Sequence, residues 1–99
     1  MSAQVIEVLV RVGGAEQPQR FHGRLAWALH ALADAGEAGC TPMTHPGPRW
    51  SGYVHRLKKQ HGLRIESVPE RHGGAYAGGH VRYRLRTPVT VLEAVRHGQ

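Results

Sequence analysis

The chain has 99 residues, enough for one small domain spanning 1–99 with a single hydrophobic core. Its 40% hydrophobic and 20% charged residues are typical of a folded soluble domain and exclude a disordered chain. The single cysteine, Cys40, excludes an internal disulfide and predicts a reducing, cytoplasmic compartment. The first twelve residues are too short and too interrupted by charge for a signal peptide or a membrane span.

The net charge of +6 is distributed unevenly along the chain. Residues 49–86 hold nine Arg or Lys against two Glu, a net of +7, whereas the remainder holds four basic against five acidic residues, a net of −1. A basic segment on an otherwise neutral chain is typical of a polyanion-binding surface. No large apolar face accompanies the basic segment, so a membrane is not the expected partner.

In chain order, the β-branched residues at 4–12 predict a strand that Gly13 and Gly14 end. Pro18 to Ala35 has a helical apolar stripe and is predicted to be a helix that ends at Gly36. The stripe consists of Phe21, Leu25, Ala28, Leu29 and Leu32. Trp27 lies off this stripe, and it is expected either to pack under the N-terminal strand or to serve a partner surface.

The connector from Glu37 to Gly47 is interrupted by prolines and allows at most one helical turn, at 42–45. An amphipathic helix is predicted next, over 48–61, with Pro48 in its first turn and Gly62 as its stop. Its apolar side is expected to pack on the stripe of the first helix. That side consists of Trp50, Tyr53, Val54 and Leu57.

After Gly62 the period changes from helical to alternating. Residues 63–68 and 80–87 are predicted to form two strands joined by a glycine-rich loop at 69–79, which makes a β-hairpin. Arg82, Arg84 and Arg86 share one face of the second strand; they are expected either to touch phosphates or to pair with Glu66 across the hairpin. The tail after Thr87 favours strand in its first half and a helical turn in its second.

Strand, helix, turn, helix and hairpin together predict an α+β fold, a winged helix-turn-helix with its core at about 18–88. The chain also resembles a family of small winged-helix proteins found in proteobacterial genomes, often among prophage genes. The resemblance covers roughly residues 20–88 and rests on GRLAWALHAL, GCTPMTHPGPRWSGYVHRLKKQHGLRIES and ERHGGAYAGGHVRYRL. It implies a winged-helix fold and DNA binding. Pro42, Pro46 and Pro48 depart from ordinary winged helices, since they reduce the second helix to a turn.

Double-stranded DNA is the expected partner, because a helix fits the major groove and Arg and Lys bind guanine edges and phosphates. The helix 48–61 is the predicted recognition helix and the loop 69–79 the predicted wing. We predict DNA contacts from the connector (Thr44, His45), from the helix (Arg49, Ser51, Gly52, His55, Arg56, Lys58, Lys59) and from the hairpin (Arg71, His72, Arg82).

No cofactor, metal or small-molecule substrate is expected. The eight histidines and Cys40 lack the short ligand spacings of a zinc site, and no acid–base or nucleophile set suggests an enzyme. The function predicted is that of a small transcription regulator or DNA-associated accessory protein. A protein-interaction module and an RNA-binding protein are the alternatives. A homodimer is expected through the N-terminal strand if that strand lies at a sheet edge.

Overall fold

The structure is a computed structural model that describes residues 4–47, 49–73 and 78–97. Within this part of the chain no helix is long and apolar enough to cross a membrane. The elements are β1 (Val5–Val12), β2 (Gln19–His22), α1 (Gly23–Ala35), a short 3-10 turn (Gly36–Ala38), α2 (Trp50–His61), β3 (Ile65–His72), β4 (Gly78–Leu85) and β5 (Val89–Arg96).

The strands form two antiparallel sheets, one with the order β2-β1-β5 and one that is the β3-β4 hairpin. The predicted N-terminal strand is confirmed, but it occupies the middle of its sheet, hydrogen-bonded to β2 on one side and to β5 on the other. Both of its edges are therefore used. The condition for a homodimer through this strand, a position at the edge of the sheet, is therefore not met.

The first helix is shorter than predicted, because its expected first turns form β2 instead. Val8 pairs with Phe21 across the β1–β2 ladder, so Phe21 still reaches the core, but from a strand. Gly23 then adopts a positive φ of 65°, which turns the chain sharply from strand into helix. The spacing from Phe21 to Leu25 matches that of a helical stripe, but the backbone at Phe21 is strand and not helix.

The core lies where α1 packs against β1 and α2. Leu29, Leu32 and Leu57 are completely buried, and Phe21 and Leu25 are nearly so. These contacts confirm the predicted packing of the apolar side of α2 on that of α1. The predicted helix start at Pro48 lies outside the described residues. The predicted stop is confirmed, since Gly62 is left-handed and its N–H binds the carbonyl of Leu57.

Two tryptophans join the helices. Trp50 is 3% exposed and donates from Nε1 to the carbonyl of His45 at 2.8 Å. Its ring centroid lies 5.2 Å from that of Trp27 and 6.0 Å from that of Tyr83. Trp27 thus packs on α2, and also against the connector, where a Cβ on Gly47 would lie 2.8 Å from its ring. Packing beneath the N-terminal strand therefore does not by itself describe the position of Trp27, which lies beside Trp50.

The described connector contains no second α-helix, in agreement with the proline argument. Thr41 is 1% exposed, and its hydroxyl accepts from the N–H groups of Met43 and Thr44. This turn takes the place of a helix. Just before it, Cys40 exchanges two backbone hydrogen bonds with Tyr83, so the connector adds a single bridge to the edge of β4.

The hairpin is confirmed, but its strands continue into what was predicted to be loop. Pro69 to His72 pair with Val81 to Gly78, so the loop begins after His72. Pro69 is compatible with this ladder because β3 pairs only with β4, which leaves an outer edge where no N–H is required. The ambiguous tail is strand from Val89 to Arg96, and this strand runs along β1.

We expect Gly39→Ala to lower the free energy of unfolding by about 3 kcal/mol, because it combines backbone strain with a steric clash. Gly39 has φ 70° and ψ −175°, a region that side chains exclude, and a Cβ there would lie 2.6 Å from the carbonyl oxygen of Tyr83. Urea denaturation measures the loss. Gly14→Ala is the control, since its Cβ would meet nothing within 4 Å. Equal stability of the two variants would contradict the described placement of Gly39 against β4.

Candidate nucleic-acid interface

The exposed face of α2 follows from its buried one. Trp50, Val54 and Leu57 are buried at helical spacing, which leaves the intervening positions in solvent. Ser51, His55, Arg56, Lys58 and Lys59 are all exposed. We call these five residues the α2 face. Lys58 and Lys59 also lie in the last turn, where positive charge is favoured by the helix dipole.

Arg49 is the residue just before α2, and its backbone conformation is unusual. Its carbonyl accepts from the N–H groups of Gly52 and Tyr53, while φ 66° and ψ 34° place it in the left-handed region. Among the described residues it is the only one other than glycine with positive φ. Such a conformation costs an arginine about 1–2 kcal/mol. The exposed Arg49 side chain extends the positive charge of the α2 face beyond the helix start.

The cations of α2 have no acidic partners within the described ranges. Among the described residues no carboxylate lies within ion-pair distance of Arg49, Arg56, Lys58 or Lys59, whereas five arginine–glutamate ion pairs form elsewhere. Their charges are consequently not neutralised by the protein. A helix of 10–12 Å diameter with such a face is suited to a polyanion that can surround it.

The hairpin arginines behave in the opposite way. Arg82 makes two hydrogen bonds to the carboxylate of Glu70, at 2.6 and 3.1 Å, and Arg84 and Arg86 both bind Glu66. The predicted cross-hairpin pairing with Glu66 is thus confirmed for Arg84 and Arg86, whereas Arg82 pairs with Glu70. The positive charge of residues 49–86 is therefore concentrated on α2 and not on β4.

The same arginines also fix the hairpin to the end of α1. Arg82 donates to the carbonyl of Ala38 at 2.7 Å, Arg84 to the carbonyl of Glu37 at 2.8 Å, and Arg86 to the Glu37 carboxylate at 2.6 Å. Each guanidinium thus joins a hairpin carboxylate to the 3-10 turn. These contacts set the direction in which the hairpin projects beside α2.

Acid should loosen these contacts. The hydrogen bond from Arg86 holds the pKa of Glu66 below its usual 4.5, and that from Arg82 lowers the pKa of Glu70 in the same way. Because both pKa values are depressed in the folded protein, the pairs add stability above the unfolded-state pKa and lose it as the pH falls through the folded one. Carboxyl carbon NMR titration should give midpoints below 4.5 for both residues.

Arg86→Gln provides the control for this titration. It should move the midpoint of Glu66 upward and leave that of Glu70 unchanged, because Arg82, not Arg86, binds Glu70. A Glu66 midpoint that does not respond to Arg86→Gln would contradict the pairing.

Three openings surround α2. A groove of about 300 Å³ separates it from the hairpin, with Ser51 and Lys58 on the helix side and Ser67 and Val81 on the hairpin side. A second opening of about 480 Å³ lies at the base of the hairpin, between Lys59 and Arg64. A third, of about 660 Å³, lies between the opposite side of α2 and the start of α1.

The predicted DNA contacts do not all lie together. The α2 face, Arg49 and Gly52 line two neighbouring openings that share His55. Thr44 and His45 lie elsewhere, in an opening shared with Trp27, His30 and Asp34. The Thr44 hydroxyl accepts from the N–H of Thr41 at 2.9 Å and lies 2.9 Å from Nδ1 of His45, so both side chains serve the turn.

Two of the predicted wing contacts lie in a strand and not in the loop where they were expected. Arg71 and His72 are the last residues of β3 and not part of the loop. The Arg71 side chain is exposed and lines a shallow opening on the hairpin with Pro69 and His80. The side chain of His72 and residues 74–77 lie outside the described part of the structure.

Cys40 is not a reactive thiol. Its side chain is completely buried, and burial raises its pKa to about 11, so it is protonated near neutral pH. Across residues 4–47, 49–73 and 78–97, no three His, Cys, Asp or Glu side chains converge as metal ligands.

Arg24 is the residue that sequence reasoning missed. It lies in the first turn of α1 and faces the same opening as Arg49 and Arg56. The sequence signal was weak, because Arg24 lies outside the basic segment and was assigned to the middle of a longer helix.

One comparison with known proteins gives a match. The model of a family described as "Winged helix domain" matches residues 18–95, which is more than three quarters of the chain. The match confirms the winged-helix fold predicted from the order of elements. No curated protein and no solved structure matches the chain.

Proposed function

Because the chain belongs to the winged helix domain family, whose members are in general DNA-binding modules, we propose that it binds double-stranded DNA through the α2 face and has no catalytic role. One observation carries the proposal: the cations of α2 have no acidic partners among the described residues, while Arg82, Arg84 and Arg86 of the hairpin are paired with glutamates. The protein would act as a small transcription regulator or a DNA-associated accessory protein in the cytoplasm.

The duplex form of the ligand follows from the shape of the surface. A single helix with basic residues along its length fits the major groove of B-DNA, which is about 12 Å wide. The major groove of A-form RNA is too deep and narrow for side chains to read. In the proposed complex His55, which lies between the two openings beside α2, is suited to base edges, while Arg56, Lys58 and Lys59 are suited to phosphates.

Arg82 is not included among the proposed contacts, since its guanidinium is occupied by Glu70 and the carbonyl of Ala38. Thr44 and His45 are also excluded, because they lie in a different opening. Arg71 is retained, since its side chain is exposed and has no carboxylate partner within the described residues. The proposed contacts are Arg49, Ser51, Gly52, His55, Arg56, Lys58, Lys59 and Arg71.

Fluorescence anisotropy with a duplex of about 20 bp tests the proposal. The logarithm of the binding constant should fall linearly with the logarithm of salt concentration between about 50 and 200 mM, with a slope of about −3 to −6, since each phosphate contact adds about −0.9. No binding at about 50 mM salt would favour a protein-interaction module. Clear preference for structured RNA of the same length would favour RNA binding. Either result would contradict the proposal.

A further inference from the structure

The opening between α2 and the start of α1 is the largest of the three around α2, at about 660 Å³. Arg49, Gly52, Tyr53 and Arg56 line it from α2, and Arg24 lines it from α1. We call it the α1–α2 cleft. The hairpin groove lies on the other side of α2, and His55 lines both, so it forms the ridge between them.

The charges in the cleft are not neutralised by the protein. Arg49 and Arg56 are exposed without a carboxylate in ion-pair range among the described residues. Arg24 is half-buried, and its partners within the described part of the chain are neutral: its Nε lies 3.4 Å from the Tyr53 hydroxyl, its Nη1 lies 3.1 Å from Oε1 of Gln4, and its guanidinium is 4.6 Å from the Trp27 ring. A half-buried cation without a counter-charge is unfavourable unless an anion joins it.

The wall of the cleft also contains a glycine that the fold does not require. Gly52 lies inside α2, where glycine stabilises a helix less than alanine does. A Cβ at this position would meet only the Cβ of Arg49, at 3.9 Å, which is ordinary contact. No packing within the described residues explains the glycine. A ligand that approaches the helix backbone closely would explain it.

We propose that the α1–α2 cleft receives the sugar–phosphate backbone of one DNA strand while the hairpin groove receives the other. This inference rests on the proposed function. A helix in the major groove has a phosphate backbone on each side, and α2 has a basic opening on each side. Arg49 and Arg56 contact the phosphates, and Arg24 adds positive charge from the α1 side of the cleft. Gly52 allows the DNA strand to approach the helix backbone.

The test compares salt slopes for the duplex. Arg49→Gln and Arg56→Gln should each reduce the slope by about 0.9 and weaken binding about 8-fold at about 0.1 M salt. Their effects should add to those of Lys58→Gln, which removes a charge from the hairpin groove, because different phosphates are involved. Arg11→Gln on β1 is the matched control. It removes the same charge from a residue that lines neither opening, so its slope should equal that of the unmodified chain.

Gly52→Ala separates binding from folding. It should raise the melting temperature, since the helix gains a better residue, and weaken duplex binding several-fold. The proposed role of the cleft would be contradicted if Arg49→Gln and Arg56→Gln gave the same salt slope as Arg11→Gln. It would also be contradicted if Gly52→Ala left the duplex affinity unchanged. Either result would leave binding by the α2 face intact. An unmodified chain that does not bind duplex at about 50 mM salt would overturn both proposals.

Discussion

Trp50→Ala should lower the free energy of unfolding by about 3–5 kcal/mol, the largest loss expected from a single substitution in this chain. Trp50 is 3% exposed, and its ring lies against Trp27, Tyr53 and Tyr83. It therefore connects α1, α2 and the hairpin at one point. Small domains are stable by only about 5–15 kcal/mol, so the variant should be close to unfolding. Urea denaturation followed by far-UV circular dichroism measures the loss.

Two further variants make this result specific. Trp50→Phe keeps an aromatic ring but loses the hydrogen bond to the carbonyl of His45, so it should cost about 1–2 kcal/mol. Met43→Ala should have almost no effect, because Met43 is 58% exposed. A loss below about 1 kcal/mol for Trp50→Ala would contradict the central position of Trp50 in the core.

The double variant Lys58→Gln/Lys59→Gln should weaken duplex DNA binding by about 60-fold at about 0.1 M salt and reduce the salt slope by about 1.8. Both side chains are exposed, line the hairpin groove and lack a carboxylate partner in the described part of the chain. Neither is buried, so stability should change by less than about 0.5 kcal/mol. Anisotropy titrations at several salt concentrations give the slope and the affinity together.

Arg84→Gln/Arg86→Gln is the matched control, because it removes the same charge from the same basic segment. Both arginines are bound to Glu66 and to the 3-10 turn, so their loss should alter hairpin stability and leave the salt slope nearly unchanged. If the control reduced the slope as much as the lysine pair did, binding would depend on total charge and not on the α2 face.

The sequence predicted α2 and the hairpin well because both have strong local signals. Trp50, Val54 and Leu57 follow the helical period, and Gly62 ends the helix in the left-handed conformation that glycine favours. The hairpin was found from strict alternation around Tyr83. In each case the residues that define the element also contact the core, so local pattern and tertiary packing agree.

The elements that were misjudged depend on partners far away in sequence. Phe21 has helical spacing to Leu25, and only its pairing with Val8 places it in a strand. The tail is strand because β1 offers an open side, and the paired residues of β1 lie far earlier in the chain, as for Val12 and Val89. The glycines after Arg71 and His72 favour a loop. The sequence pattern therefore did not show that the pairing of β3 with β4 continues to these two residues.

The structure brings the central residues of the predicted site together and places those at its margins elsewhere. Charge counting located the basic segment, but it could not show that Arg86 would bind Glu37, which lies 49 residues earlier. Nor could it show that Arg24 shares an opening with Arg49 and Arg56. Net charge per segment is a property of sequence, whereas unneutralised charge is a property of the folded surface.

Amide chemical-shift mapping during titration with duplex DNA tests most directly whether the α2 face is the contact surface. We expect the largest shifts at Arg49, Ser51, Gly52, His55 and Lys59, with smaller ones at Arg24 and along the inner side of the hairpin. Shifts concentrated on the β2-β1-β5 sheet, or around Trp27 and His45, with α2 unaffected, would contradict this expectation.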